Sequence, residues 1–229
     1  MLRDSIPEFM SFEQMDKSGH VPPDVNLLSR EYIHSLSVIR FGGTVTVVED
    51  AAQAEAAFQA LENEEAVGFD TESRPSFTRG VAYPVSLVQV ATAEVAYLFQ
   101  LVKIGFPDEL VRFLANPRVQ KIGVGIANDI SKLKQLRRFH PAGFVDLGRL
   151  AAAKGIVQVG ARALVARYLG SRLIKSSQRT DWSKPLLTEK QKNYAATDAW
   201  VCLQVYPRLL ADSAHYVAPA VVASPKPEK

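Results

Sequence analysis

The apolar run Val67-Gly68-Phe69 passes directly into Asp70-Thr71-Glu72, and this junction constrains the fold more than any other stretch of the chain. Side chains on a strand alternate with period two, so Asp70 and Glu72 leave it on the same side. A second acidic segment, Asn128-Asp129, closes another apolar run at 119–126. A third, Tyr194-Ala195-Ala196-Thr197-Asp198, lies in a helical stretch, where positions i and i+4 share one face. A fold that unites these segments brings strand ends and a helix face together along one edge of a sheet.

The intervening pattern supplies the elements. Segments 66–72, 85–91 and 95–101 read as successive strands, the last two divided by the turn Thr92-Ala93-Glu94, and 119–126 reads as another. Segments 37–40 and 44–48 are β-rich and flank Phe41-Gly42-Gly43, which predicts a hairpin. Helices are expected at 26–35, at 51–62 behind a capping Glu49-Asp50, and at 107–114 with proline first. Further helices should follow Asp129 through 138, follow a brief strand at 144–146 through 153, and occupy 161–169 before Gly170. Segment 171–185 has no period and reads as a surface loop. Thr188-x-x-Gln191 has the form of a capping box opening the helix that carries Tyr194 and Asp198. Strands in antiparallel order, then alternating with helices, indicate one α/β domain with a mixed sheet flanked by helices. Its expected bounds are 44–212, with 1–43 as an N-terminal arm holding part of the hairpin and 213–229 as a flexible tail.

Length and composition agree with this. A chain of 229 residues can bury a substantial core, and 47% apolar with 22% charged residues is ordinary for a soluble protein. No apolar run is long enough to span a bilayer, and the N-terminus lacks the basic-then-apolar profile of a secretory signal, so no membrane association is expected. A single cysteine, Cys202, rules out an internal disulfide and fits a reducing, cytoplasmic setting; its apolar neighbours mark it as a small buried hydrophobe. Net charge is only +3, but residues 118–192 carry 16 Lys/Arg against 4 Asp/Glu while the remainder carries 11 against 20. Such one-sidedness between the second and third acidic segments suggests a polyanion beside them; solvated helix faces are the plainer alternative.

Asp70, Glu72, Asp129 and Asp198 are hard oxygen donors with no His or Cys among them, a set suited to Mg²⁺ or Mn²⁺ and to phosphate chemistry. The four histidines, His20, His34, His140 and His215, do not cluster with them. Singly, each acid has a dull explanation as a strand end, a helix cap or a solvated helical residue. In order, on the required elements and with Tyr194 at its spacing, they form a joint signal. Gly123-Val124-Gly125 is too short for a dinucleotide fingerprint and no Walker-type loop occurs, so no nucleotide cofactor is expected.

These segments resemble the DEDD superfamily of 3′→5′ exonucleases, in its tyrosine-bearing subclass, on a ribonuclease H-like fold. Gly68-Phe69-Asp70-Thr71-Glu72 is similar to the first family motif, Gly125-Ile126-Ala127-Asn128-Asp129 to the second and Tyr194–Asp198 to the third. The run Lys175-Ser-Ser-Gln-Arg-Thr-Asp-Trp-Ser183 with Leu187-Thr188-x-x-Gln191 is similar to the exonuclease domain of the Werner syndrome helicase, and ribonuclease D shares the broader pattern. The resemblance implies two divalent cations, Mg²⁺ or Mn²⁺. Asp70, Glu72 and Asp198 would hold one, Asp70 and Asp129 would reach the other, and Tyr194 would orient the attacking water. It implies hydrolysis from a free 3′ end of nucleic acid, DNA favoured, releasing nucleoside 5′-monophosphates. RNA trimming and a catalytically silent nucleic-acid-binding adaptor are the competing readings. No appended helicase, polymerase or helical binding module is expected, and no protein-docking motif is evident.

Around the substrate, the Thr71 backbone N–H is expected to face the 3′ end. Arg74, Arg79, Lys175, Arg179 and Lys184 are candidate phosphate ligands. Phe77 is placed equally as a base-stacking residue or a core residue. Trp182 is expected to pack on the final helix, and Gln89 to be either a solvent-face residue or a support for the site. Lys121, Lys132 and Lys134 are expected to extend the basic surface.

Overall fold

The structure, a computed structural model, describes residues 27–213, so most of the expected arm and tail, with His20 and His215, lies outside the described residues. Chain order is α1 (Arg30–Ser35), β1 (Thr44–Val48), α2 (Ala51–Leu61), β2 (Ala66–Ser73), β3 (Val85–Ala91) and β4 (Val95–Gln100). There follow α3 (Leu101–Ile104), α4 (Asp108–Ala115), β5 (Gln120–Gly123), α5 (Ala127–Leu136) and β6 (Phe144–Asp146). The described chain closes with α6 (Leu147–Ala153), α7 (Ala161–Leu169) and α8 (Glu189–Ala211). The strands form one mixed sheet in the order β1-β4-β3-β2-β5-β6. β2, β3 and β4 pair antiparallel, while β1 joins β4, and β5 and β6 extend β2, in parallel.

Local chemistry sets the helix starts. Asp50 accepts from the Gln53 N–H to begin α2, Ser29 caps α1, and Thr188 with Gln191 makes a full capping box on α8. Gly170 ends α7 in the left-handed region at φ 55°, which glycine enters without steric cost.

Helices cover both faces. On one, α2, α4 and α5 bury Phe58, Leu61, Leu110, Phe113 and Leu133 against Val67, Phe69, Val88, Val90 and Phe99. Phe58 stacks on Phe99 with centroids 4.5 Å apart. On the other, α6, α7 and α8 pack around Ile122, Leu164, Val201 and Val205, while Tyr194 and Ala195 meet Leu87 and Leu98. Fully burying each large side chain is worth about 1.5–3 kcal/mol. No helix among the described residues is long and apolar enough to cross a membrane.

α8 approaches the sheet most closely at Gly68. A Cβ built there would lie 1.9 Å from the Ala199 carbonyl oxygen, so no residue but glycine fits without displacing the helix. The strand places Gly68, Asp70 and Glu72 on this same face, and the close approach therefore lowers the helix toward the carboxylates.

Four expectations need correction. The hairpin at 37–48 does not form: β1 pairs in parallel with β4, and 37–39 bonds instead to Arg172 through Ile39 N–H to Arg172 O and Arg172 N–H to Ser37 O. Phe41 N–H is drawn to Thr197 Oγ1 on α8, so the segment turns across the helix rather than back on itself. The strand expected through 126 stops at Gly123. Gly125, at φ 69°, breaks the extended run, and Asn128-Asp129 lie inside the first turn of α5. Pro107 sits at the cap of α4 and not in its first turn. Lys121 is not on the surface: it is fully buried, donating to the Asn116 and Phe113 carbonyls at 2.6 and 3.2 Å, beside the Phe113 and Phe144 rings. An aliphatic stem suited to the core and an ammonium that satisfies carbonyls at the end of α4 explain the placement.

We expect Gly68→Ala to force α8 away from β2. Overpacking costs about 1–3 kcal/mol or more, and thermal denaturation should show a fall of roughly 2–4 °C for each kcal/mol. An unchanged melting temperature would mean that the helix approach is not set at this position.

Candidate active site

Three carboxylates converge where β2 passes beneath α8. One oxygen from each of Asp70, Glu72 and Asp198 lies within 4.8 Å of the others. The strand contributes two of them through its alternation, and the capping box fixes the start of α8, which carries the third. Gln191 Nε2 also donates to Thr180 Oγ1 and to the Asp181 carbonyl, both at 3.2 Å, tying the preceding loop to the helix start. Tyr194, one turn before Asp198, packs on fully buried Trp182 with centroids 5.8 Å apart, as the sequence led us to expect of that tryptophan.

Asp129 reaches the site from the opposite layer. Thr71 leaves β2 on the other side from Asp70 and Glu72, and its Oγ1 donates to Asp129 Oδ1 at 2.6 Å. Asp129 lines the same cavity as the three carboxylates, about 320 Å³, but stands outside their cluster. The turn before α5 is held by Asp146, whose Oδ1 accepts from the N–H groups of Gly125 and Gly148 at 3.0 and 2.9 Å. The Thr71 N–H, expected to face a 3′ end, donates to Asp70 Oδ1 at 2.9 Å in this structure.

Crowding of carboxylates away from water dominates the electrostatics. Burial, with Asp198 beside it, pushes the Asp70 carboxyl up to about 7. Burial and the adjacent Asp70 push Glu72 up to about 9. Burial also raises Asp129 and Asp198, the latter opposed by the Lys175 ammonium. The Tyr194 phenol is driven upward by burial and by Asp198 and Glu72, so it stays protonated and can offer a hydrogen bond rather than serve as a base. Cys202 is buried, its thiol pushed up by burial and its Sγ against the Asp198 carbonyl, and it behaves as a small core residue.

The remaining expected residues divide. Lys175 lies within the wall of the cavity, its Nζ 2.5 Å from Asp198 Oδ2 and 5.5 Å from the Tyr194 ring centroid. Arg79, Arg179 and Lys184 are exposed, and Phe77 is 83% exposed, which removes its core alternative. Arg74 stacks over the Tyr83 ring and lies 4.0 Å from Asp181. A second cavity of about 330 Å³ shares Thr71, Glu72 and Gln178 with the first and continues to Arg74 and Lys132. Gln178, which lines both, lies within the Lys175–Ser183 run but was not among the candidate ligands. Gln89 is fully buried opposite Asp70 in the antiparallel register, both amide atoms without a partner, which excludes the solvent-face reading. His34 and His140 are exposed and line neither cavity.

The donor set fits a divalent cation: oxygens alone, with Asp198 Oδ1 buried and without a hydrogen-bond partner. Residues 45–212 match the 3′-5′ exonuclease family described as DNA_pol_A_exo1. The chain belongs to this family. It is 31% identical over 229 residues to the bifunctional 3′-5′ exonuclease/ATP-dependent helicase WRN of Mus musculus, covering 95% of the chain but only 16% of that relative. The crystal structure of Escherichia coli RNase D, an exoribonuclease involved in structured RNA processing, superposes with a TM-score of 0.68 at 26% identity, over 74% of this chain and 45% of that one. The Aedes aegypti Nibbler EXO domain shares the fold at a TM-score of 0.66 and 23% identity, over 73% of this chain and 88% of that one. The ribonuclease H-like mixed sheet expected from the sequence is thus the fold of this chain.

Raised carboxyl values make the site's cost pH-dependent. Between about 4, where Asp70 and Glu72 ionise in the unfolded chain, and the values of about 7 and about 9 held in the fold, the unfolded state binds fewer protons. Stability of the metal-free domain should therefore be fully present below about pH 4 as far as these groups go, and should fall as pH rises through the folded values. Asp70→Asn should flatten that decline and raise the metal-free melting temperature at pH 8. A variant no more stable than wild type at pH 8 would show that the carboxylates are not strained.

Proposed function

We propose that residues 44–212 form a metal-dependent 3′-5′ exonuclease domain that removes nucleoside 5′-monophosphates from the 3′ end of a nucleic acid. The observation that carries this is the convergence of Asp70, Glu72 and Asp198 within 4.8 Å, beside Tyr194, in a cavity bordered by an exposed basic loop. Divalent cations, Mg²⁺ or Mn²⁺ and two in number, would supply Lewis acidity and a nucleophilic hydroxide when bound. Asp70, Glu72 and Asp198 would hold one, and Asp129, steadied by Thr71, would complete the second position with Asp70.

The protein's own groups then have separable tasks. Tyr194, a protonated phenol on the cavity wall, orients the water that adds to phosphorus. The bond from phosphorus to the 3′-oxygen of the penultimate nucleotide breaks, and that oxygen leaves with the shortened strand. Arg179 and Lys184 on the loop, and Arg74 and Arg79 past β2, meet backbone phosphates, and exposed Phe77 stacks on a base.

DNA is the favoured substrate, supported by the match to the family described as DNA_pol_A_exo1. The likeness to an exoribonuclease supports RNA as the second reading. Labelled single-stranded DNA and RNA of matched sequence, digested with Mg²⁺, Mn²⁺ or EDTA, separate the two. The lone buried Cys202 suits a cytoplasmic protein.

Asp70→Ala and Asp198→Ala should each lower activity by about 10³-fold or more with the circular-dichroism spectrum retained; full turnover by either purified variant would refute the site. Replacing Arg179 and Lys184 together by alanine should raise KM more than it lowers kcat. The slope of log affinity against log salt on single strands should shallow by about 0.7 for each phosphate that is no longer neutralised, and an unchanged slope would remove both side chains from the substrate path.

A further inference from the structure

Lys175 stands apart from the other basic residues of its loop. Arg179 and Lys184 are exposed, whereas the Lys175 side chain is 15% exposed and pairs at 2.5 Å with an Asp198 side chain that is 2% exposed. Its ammonium also lies 5.5 Å from the Tyr194 ring centroid, within the wall of the carboxylate cavity. The pairing uses only Asp198 Oδ2. Oδ1 remains buried and without a partner, in the cluster with Asp70 and Glu72.

Asp198 is thereby divided between an internal cation on one oxygen and an open coordination position on the other. Three carboxylates within 4.8 Å would repel one another strongly in a buried setting, and a fixed ammonium offsets part of that repulsion. The same charge repels any divalent cation entering the cluster. Lys175 therefore acts in two opposite directions: it stabilises the carboxylate cluster without metal and lowers the cluster's affinity for metal.

We propose that Lys175 is a built-in counter-ion that sets metal affinity at the carboxylate cluster, rather than a ligand for substrate phosphate. The inference rests on the metal-dependent reading of the site and deepens it. It adds one consequence for the substrate. With Lys175 present, the anionic phosphate of a bound 3′ end restores the negative charge that the cation needs, so metal and nucleic acid strengthen each other's binding.

The test is Mn²⁺ binding to the intact protein, followed by loss of the free-ion electron paramagnetic resonance signal and by calorimetry, without substrate. Lys175→Gln keeps an N–H donor for Asp198 and removes the charge, Lys175→Met removes both, and Lys175→Arg keeps the charge. Lys175→Gln and Lys175→Met should bind Mn²⁺ about tenfold tighter than wild type, with Lys175→Arg close to wild type. Without metal the two neutral variants should melt lower than wild type and recover more on adding Mn²⁺. If Lys175→Met fails to fold, Lys175→Gln and Lys175→Arg still give the comparison. Equal or weaker Mn²⁺ binding by Lys175→Gln would overturn the proposal, as would a raised KM with unchanged Mn²⁺ affinity, the signature of a phosphate ligand. No Mn²⁺ binding by wild type or any variant would overturn the metal-dependent reading itself.

Discussion

α8 rests directly on the backbone of β2, and only the missing side chain at Gly68 permits it. The α8 side of the site follows from that close approach. It sets the depth of the helix, which brings Asp198 down to Asp70 and Glu72. It directs Tyr194 and Trp182 onto Leu87 and Leu98 and closes the cavity behind the carboxylates. The capping box and the bonds from Gln191 to the loop then fix where along the strand this happens.

Such closeness carries an electrostatic penalty. The fold gathers like charges where water cannot screen them, and it holds them in place by packing, by proton retention on Asp70 and Glu72, and by the Lys175 ammonium. None of these devices suits a site built only for stability, where apolar residues of equal volume would serve better. The arrangement makes sense for a site whose resting form is incomplete and whose charge is balanced by what it binds.

Much of this was legible in the sequence. The alternation through Asp70-Thr71-Glu72, the i to i+4 spacing of Tyr194 and Asp198, and Thr188-x-x-Gln191 are local rules, and local rules survive folding. The hairpin at 37–48 failed because its β-rich halves found stronger partners far along the chain, at Arg172 and on β4. The strand through 126 failed because an apolar run hides a glycine at positive φ. Lys121 misled because a long side chain can carry its charge inward whenever carbonyls await it, and no pattern in the sequence marks which lysines do so. Gln178 and Gln89 acquire meaning only from neighbours that the sheet supplies.

Thr71 has a wider consequence. Because it extends from β2 to Asp129 on α5, while its neighbours on the strand face α8, the acids are drawn from two separately packed cores. A chain that has assembled one layer alone possesses an incomplete set.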